Sequence, residues 1–236
     1  MSPTEKRAGC AARLAIIIPA RNEESSVGRV LTALNDSPLA GVGTRRVFVI
    51  DDGSTDGTAA VARAAGASVL RHRANLGKGA ALLTGCEAAL GAGSDLIALM
   101  DADGQHEAAD LPRLLQPLLD NEADLVLAAR RFSRQMPPAM RLGNWGLSRA
   151  FALLFRRHMV DTQCGLRAFR AAAYPRLRWT TPGYGVETEM LIRAVRSHLR
   201  IAEVAIATVY HDRYKGTTVT DGVRIFGQML RWTFGR

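Results

Sequence analysis

Short apolar segments alternate with amphipathic helices through the first half of this chain, and that alternation leaves few folds open. Five segments rich in Ile, Val and Leu predict buried strands, at 14–19, 47–50, 67–70, 96–100 and 124–127. Apolar residues at helical spacing separate them. Strands that alternate with helices predict an α/β fold with a mostly parallel central sheet flanked by helices, and ligands at the carboxyl ends of the strands.

Beyond residue 130 the alternation loosens. The pattern there predicts amphipathic helices over 144–157, 185–198 and 221–234, and a strand over 201–209. The first and last of these helices carry aromatic residues interleaved with Arg. Such helices can pack on the domain or lie at a membrane interface.

Acidic residues gather where the predicted strands end. Asp101 and Asp103 follow the fourth strand, and two carboxylates on one turn can hold a hard divalent cation while leaving room for substrate phosphates. Gln105 could add an oxygen ligand. An isolated Asp-x-Asp is also common in turns. The prediction of a Mg²⁺ or Mn²⁺ site therefore depends on the position of this motif at the end of a strand. Another pair, Asp51 and Asp52, ends the second strand, where turn formation and helix capping better explain Asp52.

Charge is segregated along the chain. The formal net charge is +9, but residues 1–128 carry −4 and residues 129–236 carry +13. This asymmetry predicts an anionic partner for the second half: nucleic acid, a phosphorylated substrate or an anionic membrane surface.

Several classes of protein are disfavoured. Three scattered cysteines argue against a disulfide scaffold or a zinc site and fit a reducing cytoplasm. The dinucleotide-binding and P-loop glycine motifs are missing, which disfavours a Rossmann dehydrogenase or a P-loop ATPase. No uninterrupted apolar run reaches the length of roughly 18 residues expected of a spanning helix.

A set of short motifs runs in order over about residues 14–220. They are Ile17–Glu24, Val49–Thr58, Asn75–Ala80, Met100–His106, Ala129–Arg130, Asp161–Arg167, Gly185–Glu189 and Glu203–Ile206. The ordered set resembles the family 2 glycosyltransferases, which have the nucleotide-sugar-binding GT-A fold. Within them it is most similar to the polyprenyl- and dolichyl-phosphate sugar synthases, such as the dolichyl-phosphate mannose synthases.

The resemblance implies roles for particular residues. Pro19, Arg21 and Glu23 would line the nucleobase and ribose pocket, and Asp51 would contact the nucleoside. The metal would lie among Asp101, Asp103 and Gln105, with the backbone of Ala102 close to the nucleotide. Arg130 and Arg167 would face the phosphates and, with Asp103, form the catalytic set. Arg213 and Lys215 would belong to a basic loop that closes over the diphosphate.

The implied reaction is an inverting transfer of a mannose- or glucose-type hexose from a nucleotide-diphosphate sugar to a polyprenyl phosphate. A phosphate acceptor is already anionic and needs cationic groups beside it, which the basic second half offers. An alcohol acceptor needs a general base, for which Glu187 and Glu189 are the candidates. The alternative is therefore a family 2 glycosyltransferase acting on a sugar or protein hydroxyl.

A non-enzymatic basic module that binds nucleic acid or anionic lipid is the least favoured hypothesis, because it leaves the strand-end carboxylates unexplained. No nucleic acid partner is expected. We expect a single domain over 1–236, with a nucleotide-sugar and metal half at about 14–128, an acceptor side at 129–220 and an amphipathic C-terminal helix at 221–236. The expected location is cytoplasmic, peripheral at the cytoplasmic face of the membrane, with the final helix as the favoured contact.

Overall fold

A seven-stranded sheet forms the centre of the molecule. The computed structural model describes residues 11–130, 138–183, 185–206 and 219–234. The strands are β1 (Ala12–Ala20), β2 (Val42–Asp51), β3 (Ser68–Arg71), β4 (Leu96–Leu99), β5 (Leu125–Arg130), β6 (Arg167–Arg170) and β7 (Ile201–Ile206). The helices are α1 (Glu24–Asp36), α2 (Thr58–Ala64), α3 (Lys78–Gly91), α4 (Leu111–Leu119), α5 (Pro138–Phe155), α6 (Tyr174–Leu177), α7 (Val186–Arg196) and α8 (Val219–Phe234).

The strand order is β3-β2-β1-β4-β6-β5-β7. From the central β1 the chain moves outward to β2 and β3, and then returns through α3 to place β4 on the other side of β1. The carboxyl ends of β1 and β4 therefore flank the point where the strand order reverses. In open α/β sheets this is where a crevice for ligands forms.

Helices cover both faces of the sheet, which explains why β1 is apolar without alternation. Ile16 and Ile18 pack toward α1 and α4, whereas Ile17 packs toward α3 on the opposite face. Gly85 in α3 lies directly over Ile17, so closely that a Cβ at this glycine would collide with the isoleucine side chain. The absence of that side chain lets α3 approach the sheet and bring its first residue, Lys78, to the strand ends.

The predicted fold class is confirmed: the sheet is mostly parallel and helices flank it. The sequence pattern missed β6, a four-residue strand that runs antiparallel between β4 and β5. Helix α8 packs against α5 and α7 and buries Ile225 and Met229 in the core. Among the described residues, no helix is both long enough and apolar enough to cross a membrane.

Candidate functional site

A cavity of about 490 Å³ opens at the carboxyl ends of β1 and β4. It brings together residues from distant parts of the sequence because parallel strands end at the same edge of the sheet. Six of the residues expected to bind the nucleotide sugar or metal line it: Pro19, Arg21, Glu23, Asp101, Ala102 and Asp103. Asn22, Asp52, Asn75 and Lys78 also line the cavity and were not assigned there from the sequence.

Of these four residues, Lys78 is the one that contacts two carboxylates. Its Nζ lies 2.6 Å from Asp101 Oδ1 and 2.7 Å from Glu187 Oε1. Burial alone would lower the pKa of Lys78, but the two carboxylates hold it above its usual range, so the ammonium stays charged. The motif Asn75–Ala80 contained the signal, because a single Lys stands there between two glycines at the start of a helix.

The turn before α3 fixes the position of Lys78. The backbone N–H groups of Leu76 and Gly77 donate to the two oxygens of Asp52, each at 2.8 Å, and Gly77 adopts a φ of +97°. A Cβ at Gly77 or at the residue after Lys78 would collide with the backbone at 181–182. This is the turn-forming role expected of Asp52, and it delivers Lys78 to the cavity.

Asp52 is held as an anion by the turn that it organises. Burial would raise its pKa, but the backbone hydrogen bond from Leu76, the contact with His72 and the hydrogen bond from Gly77 lower it below the usual range. His72 Nδ1 lies 2.7 Å from Asp52 Oδ1. The carboxylate is thus satisfied by groups of this chain.

The carboxylates of Asp101 and Asp103 are less completely compensated. Burial would raise the pKa of Asp101, but the Lys78 ammonium and His106 keep it below its usual range. For Asp103, burial and the negative charge of Asp101 raise the pKa to about 6, even though the backbone N–H of Gln105 donates to its Oδ1 at 2.9 Å. Asp103 therefore lies where a further positive charge would be stabilising.

This pair fits a divalent cation of the Mg²⁺ type. Such ions prefer hard oxygen ligands and are usually held by one or two carboxylates together with substrate phosphates. Within the part of the chain that the structure describes, no cluster of three or more His, Cys, Asp or Glu side chains is arranged for a metal.

His106 lies behind Asp101 rather than in solvent. Its Nε2 is 3.9 Å from Asp101 Oδ2, and the ring is buried. Burial lowers the pKa of His106 to about 4, so the imidazole is neutral near pH 7. It contributes a dipole, not a charge, beside the carboxylate pair.

Two of the expected site residues, Asp51 and Gln105, do not line the cavity. Asp51 is fully buried: its Oδ1 accepts a hydrogen bond from the backbone N–H of Ser54 (2.9 Å), and Oδ2 lies 3.0 Å from Arg71 Nε. Asp51 thus helps to shape the turn after β2, and its expected contact with the nucleoside stays a prediction. Gln105 is buried beside the cavity, and the contact seen for it is the backbone hydrogen bond to Asp103.

The two arginines expected to face phosphates differ. Arg130 ends β5 and pairs with Asp161 through two hydrogen bonds, Nε to Oδ2 (2.6 Å) and Nη2 to Oδ1 (3.1 Å). Its charge helps to lower the pKa of Asp101, after the larger effects of Lys78 and His106. Burial would raise the pKa of Asp161, but Arg130 holds it below its usual range.

Arg167 is only 1% exposed and does not line the cavity. Its guanidinium donates to three backbone carbonyls, those of Cys164 (2.9 Å), Glu187 (2.6 Å) and Thr162 (2.8 Å). These bonds hold the 162–164 loop against α7, which is a positioning role. The expected contact of Arg167 with a phosphate stays a prediction. Arg213 and Lys215 lie outside the described residues, so their expected role stays a prediction.

The two base candidates of α7 are both engaged. Glu187 pairs with Lys78, as described above. The carboxylate of Glu189 accepts hydrogen bonds from the backbone and hydroxyls of Thr180 and Thr181 and from Arg193. Glu189 therefore acts as a structural clamp on the segment that borders the cavity at Gly183.

A family model and several known proteins match this chain. The model of the family described as Glycosyl transferase family 2 matches residues 15–177. The chain is 30% identical to a UDP-N-acetylglucosamine–dolichyl-phosphate N-acetylglucosaminyltransferase of Methanococcus voltae, over 94% of this chain and 96% of that protein. It is 34% identical to an undecaprenyl-phosphate mannosyltransferase of Micrococcus luteus, over 85% of each chain.

Among solved structures, the fold is similar to that of glucosyl-3-phosphoglycerate synthase from Mycobacterium tuberculosis, in a crystal structure with Mn²⁺, UDP and phosphoglyceric acid. The TM-score is 0.75 at 24% identity, covering 95% of this chain and 79% of the other. The sheet with its strand-end cavity, the match of the family model and the two relatives lead to one conclusion. The chain belongs to glycosyl transferase family 2, and it is a glycosyltransferase with the GT-A fold.

Proposed function

We propose that this glycosyltransferase moves a hexose, with inversion, from a nucleotide-diphosphate sugar to a polyprenyl phosphate, with Mg²⁺ or Mn²⁺ as cofactor. The observation that carries the proposal is the carboxylate pair, Asp101 and Asp103, in a cavity with Lys78, where the pKa of Asp103 is raised by burial and by the charge of Asp101. A diphosphate and a divalent cation together supply the charges and oxygen ligands that this pair lacks. The names of the two lipid-phosphate relatives and the UDP and Mn²⁺ of the structural neighbour support it.

The donor occupies the cavity between the ends of β1 and β4. In the proposal Pro19, Arg21 and Glu23 form the nucleoside end, and Asp101 and Asp103 hold the cation. A cation bound there would stabilise the negative charge that develops on the departing nucleoside diphosphate. Arg213 and Lys215 remain the proposed cationic residues that cover the diphosphate.

The transferred sugar lies on the side of Lys78 and Glu187. Their ion pair offers ammonium N–H donors and carboxylate acceptors in a buried setting, where hydrogen bonds to sugar hydroxyls are worth more than in water. Because Lys78 also touches Asp101, the same ammonium links the sugar side to the metal side of the cavity.

Two observations favour a phosphate acceptor over a hydroxyl. A hydroxyl must lose its proton to a base, but Glu189 is fully engaged by Thr180, Thr181 and Arg193, and Glu187 is paired with Lys78. A phosphate oxygen attacks without a base and needs positive charge to approach an anionic donor. Arg130, fixed by Asp161 beside the carboxylate pair, supplies that charge.

The proposal retains a single domain with a donor half and an acceptor half that meet near residue 129. Because a polyprenyl phosphate lies in a bilayer, it also places the enzyme peripherally at the cytoplasmic face of a membrane. No nucleic acid partner is proposed.

Transfer of radiolabelled sugar from UDP- and GDP-sugars tests the proposal. Polyprenyl phosphate, phosphoglyceric acid and free sugars are offered in parallel, with Mn²⁺ or Mg²⁺. We expect label in a lipid product that mild acid releases, and none with Asp103→Asn. Label that enters only a hydroxyl-bearing or small phosphorylated acceptor would overturn the lipid assignment while leaving the glycosyltransferase assignment intact.

A further inference from the structure

Helix α5 exposes an apolar stripe to solvent on the side away from the core. Leu147 and Phe151 are buried, whereas Trp145 is 53% exposed and Leu153 is 82% exposed. Trp145, Arg149 and Leu153 are spaced four residues apart, so they follow one another along a single face of the helix. An exposed leucine and tryptophan on one stripe mark a surface suited to an apolar partner.

The surroundings of this stripe are basic. Residues 138–160 contain no Asp or Glu, and the arginines there whose side chains the structure describes are exposed. Arg149 stacks over the Trp145 ring at 5.4 Å, and Arg156 and Arg157 at the end of α5 are exposed. The nearby carboxylate of Glu203 accepts a hydrogen bond from the backbone N–H of Val160 at 2.8 Å. The stripe is thus an apolar surface framed by positive charge, which complements an anionic lipid surface.

A recess of about 260 Å³ lies beside the stripe. It is shaped by α5 and by the segment that leads to Asp161, the partner of Arg130. Its polar groups are the Ser148 hydroxyl, the Arg149 guanidinium and the His158 imidazole, and its apolar walls are Trp145, Met159 and Val160. Val160 is itself 44% exposed, so the apolar surface continues from α5 onto this segment.

Helix α8 contrasts with α5. Ile225 and Met229 point into the core, and Trp232 packs against it, so the apolar face of α8 is largely covered by α5 and α7. Among the side chains of α8 that the structure describes, Phe226 is the large apolar one that stays exposed, at 43%. On the described side chains, the final helix, favoured from the sequence as the membrane contact, thus exposes fewer large apolar groups than α5.

We propose that the stripe formed by Trp145, Arg149 and Leu153, together with Val160 and the recess, is the surface by which the enzyme rests on an anionic bilayer. The two apolar side chains of α5 enter the interface, and Arg149, Arg156 and Arg157 meet lipid phosphates. This inference deepens the proposed function, since it orients the acceptor side, with Arg130, toward the membrane that would hold a polyprenyl phosphate.

Co-sedimentation with vesicles tests the surface without any polyprenyl phosphate or sugar donor. The full chain is mixed with phosphatidylcholine vesicles, with and without phosphatidylglycerol. We expect binding to the anionic vesicles, weakened about tenfold by Leu153→Glu because one buried leucine contributes about that factor. Arg149→Ala should weaken it several-fold, in line with one lost basic contact. Leu70→Glu, an equally charged change at an exposed leucine of β3 on the opposite edge of the sheet, is the matched control and should bind as the parent does.

Several results would overturn the surface. They are failure of the parent chain to bind anionic vesicles, equal binding by Leu153→Glu, an equal loss with Leu70→Glu, or a larger loss with Phe226→Glu than with Leu153→Glu. Light scattering serves as the check for a second copy: a dimer that Leu153→Glu dissociates would assign the stripe to self-association instead. Transfer to detergent-dissolved polyprenyl phosphate is scored separately. Vesicle binding without transfer refutes the acceptor, and transfer without vesicle binding refutes the surface.

Discussion

The two acidic pairs at the ends of β2 and β4 look alike in sequence but have different surroundings. Asp52 accepts hydrogen bonds from the backbone N–H groups at 76 and 77 and contacts His72, and Asp51 accepts one from Ser54 and pairs with Arg71. Asp101 contacts the Lys78 ammonium, whereas the hydrogen bond seen for Asp103 comes from the backbone N–H of Gln105, and the pKa of Asp103 is raised to about 6. Whether a strand-end carboxylate shapes the fold or holds a ligand thus depends on how many donors the chain itself brings to it.

Among the substitutions proposed in these two acidic pairs, Asp103→Asn should have the largest effect on activity. Removing this carboxylate weakens the cation site that stabilises the leaving group, so we expect kcat/KM to fall about a thousandfold or more. Because Asp103 ionises against burial and the charge of Asp101, its loss should not lower the free energy of unfolding at pH 8. Turnover assays and urea denaturation check both parts. Parent-like turnover, or a less stable variant, would contradict the assignment.

Lys78→Met should lower the free energy of unfolding, because it removes the ammonium that contacts Asp101 and Glu187. Asp101 and Glu187 would then be buried without their partner, which destabilises by about 3–5 kcal/mol where a buried pair is broken. We expect a matching loss of stability, a decrease in turnover of about a hundredfold, and partial recovery of stability on addition of Mn²⁺. Lys78→Arg, which retains the charge, is the control. Thermal unfolding with and without Mn²⁺ makes the comparison, and a variant as stable as the parent would refute the bridging role.

Asp52→Ala tests the pair Asp51 and Asp52, and we expect it to change the stability of the protein rather than its chemistry. Two backbone N–H groups lose a charged acceptor, so we expect the free energy of unfolding to fall by about 2–3 kcal/mol at pH 7. The folded-state pKa of Asp52 is lowered, so its contribution is fully present above the unfolded-state pKa of about 3.9 and is lost as the pH falls through the folded-state pKa. The difference in the free energy of unfolding between parent and variant should decrease below about pH 4. Denaturant titrations at several pH values measure it, and a gap independent of pH would argue against an ionised Asp52.

Asp51→Asn is expected to have the smallest effect. The amide oxygen can still accept from the backbone N–H of Ser54, and the ion pair that is lost involves an Arg71 side chain that is half exposed. We expect about 1 kcal/mol or less of destabilisation and an unchanged affinity for the nucleoside diphosphate. Calorimetry with UDP and GDP checks this. A tenfold loss of nucleotide affinity would instead support the contact with the nucleoside that is expected for Asp51.

Apolar periodicity was sufficient to predict most of the sheet, because β4, β5, most of β1 and the last four residues of β2 are buried. It could not predict β6, whose four residues begin and end with Arg and which is held by its neighbours on both sides. The role of Arg167 was equally hidden, since its partners are carbonyls from residues five, three and twenty positions away in the chain.

The site was predictable where residue chemistry alone points to a ligand, and less so where partners decide. The Asp101–Asp103 spacing identified a pair that the fold does bring to the cavity. Lys78 stood within a recognised motif, yet its function depends on α3 beginning at the strand ends and on α7 bringing Glu187 to meet it. Such a contact arises from tertiary packing, which no local pattern of residues encodes.

The antiparallel strand β6 separates the end of β4 from the end of β5. In the sheet register Arg167 lies between Leu99 of β4 and Leu127 of β5, a few residues short of Asp101 and Arg130 respectively. Adjacent strands lie about 4.8 Å apart, so β6 separates the ends of β4 and β5 by about 10 Å. Were β4 and β5 direct neighbours, the residues that follow β4 and those that end β5 would lie only one strand spacing apart. One short strand thus acts as a spacer between the carboxylate pair and Arg130.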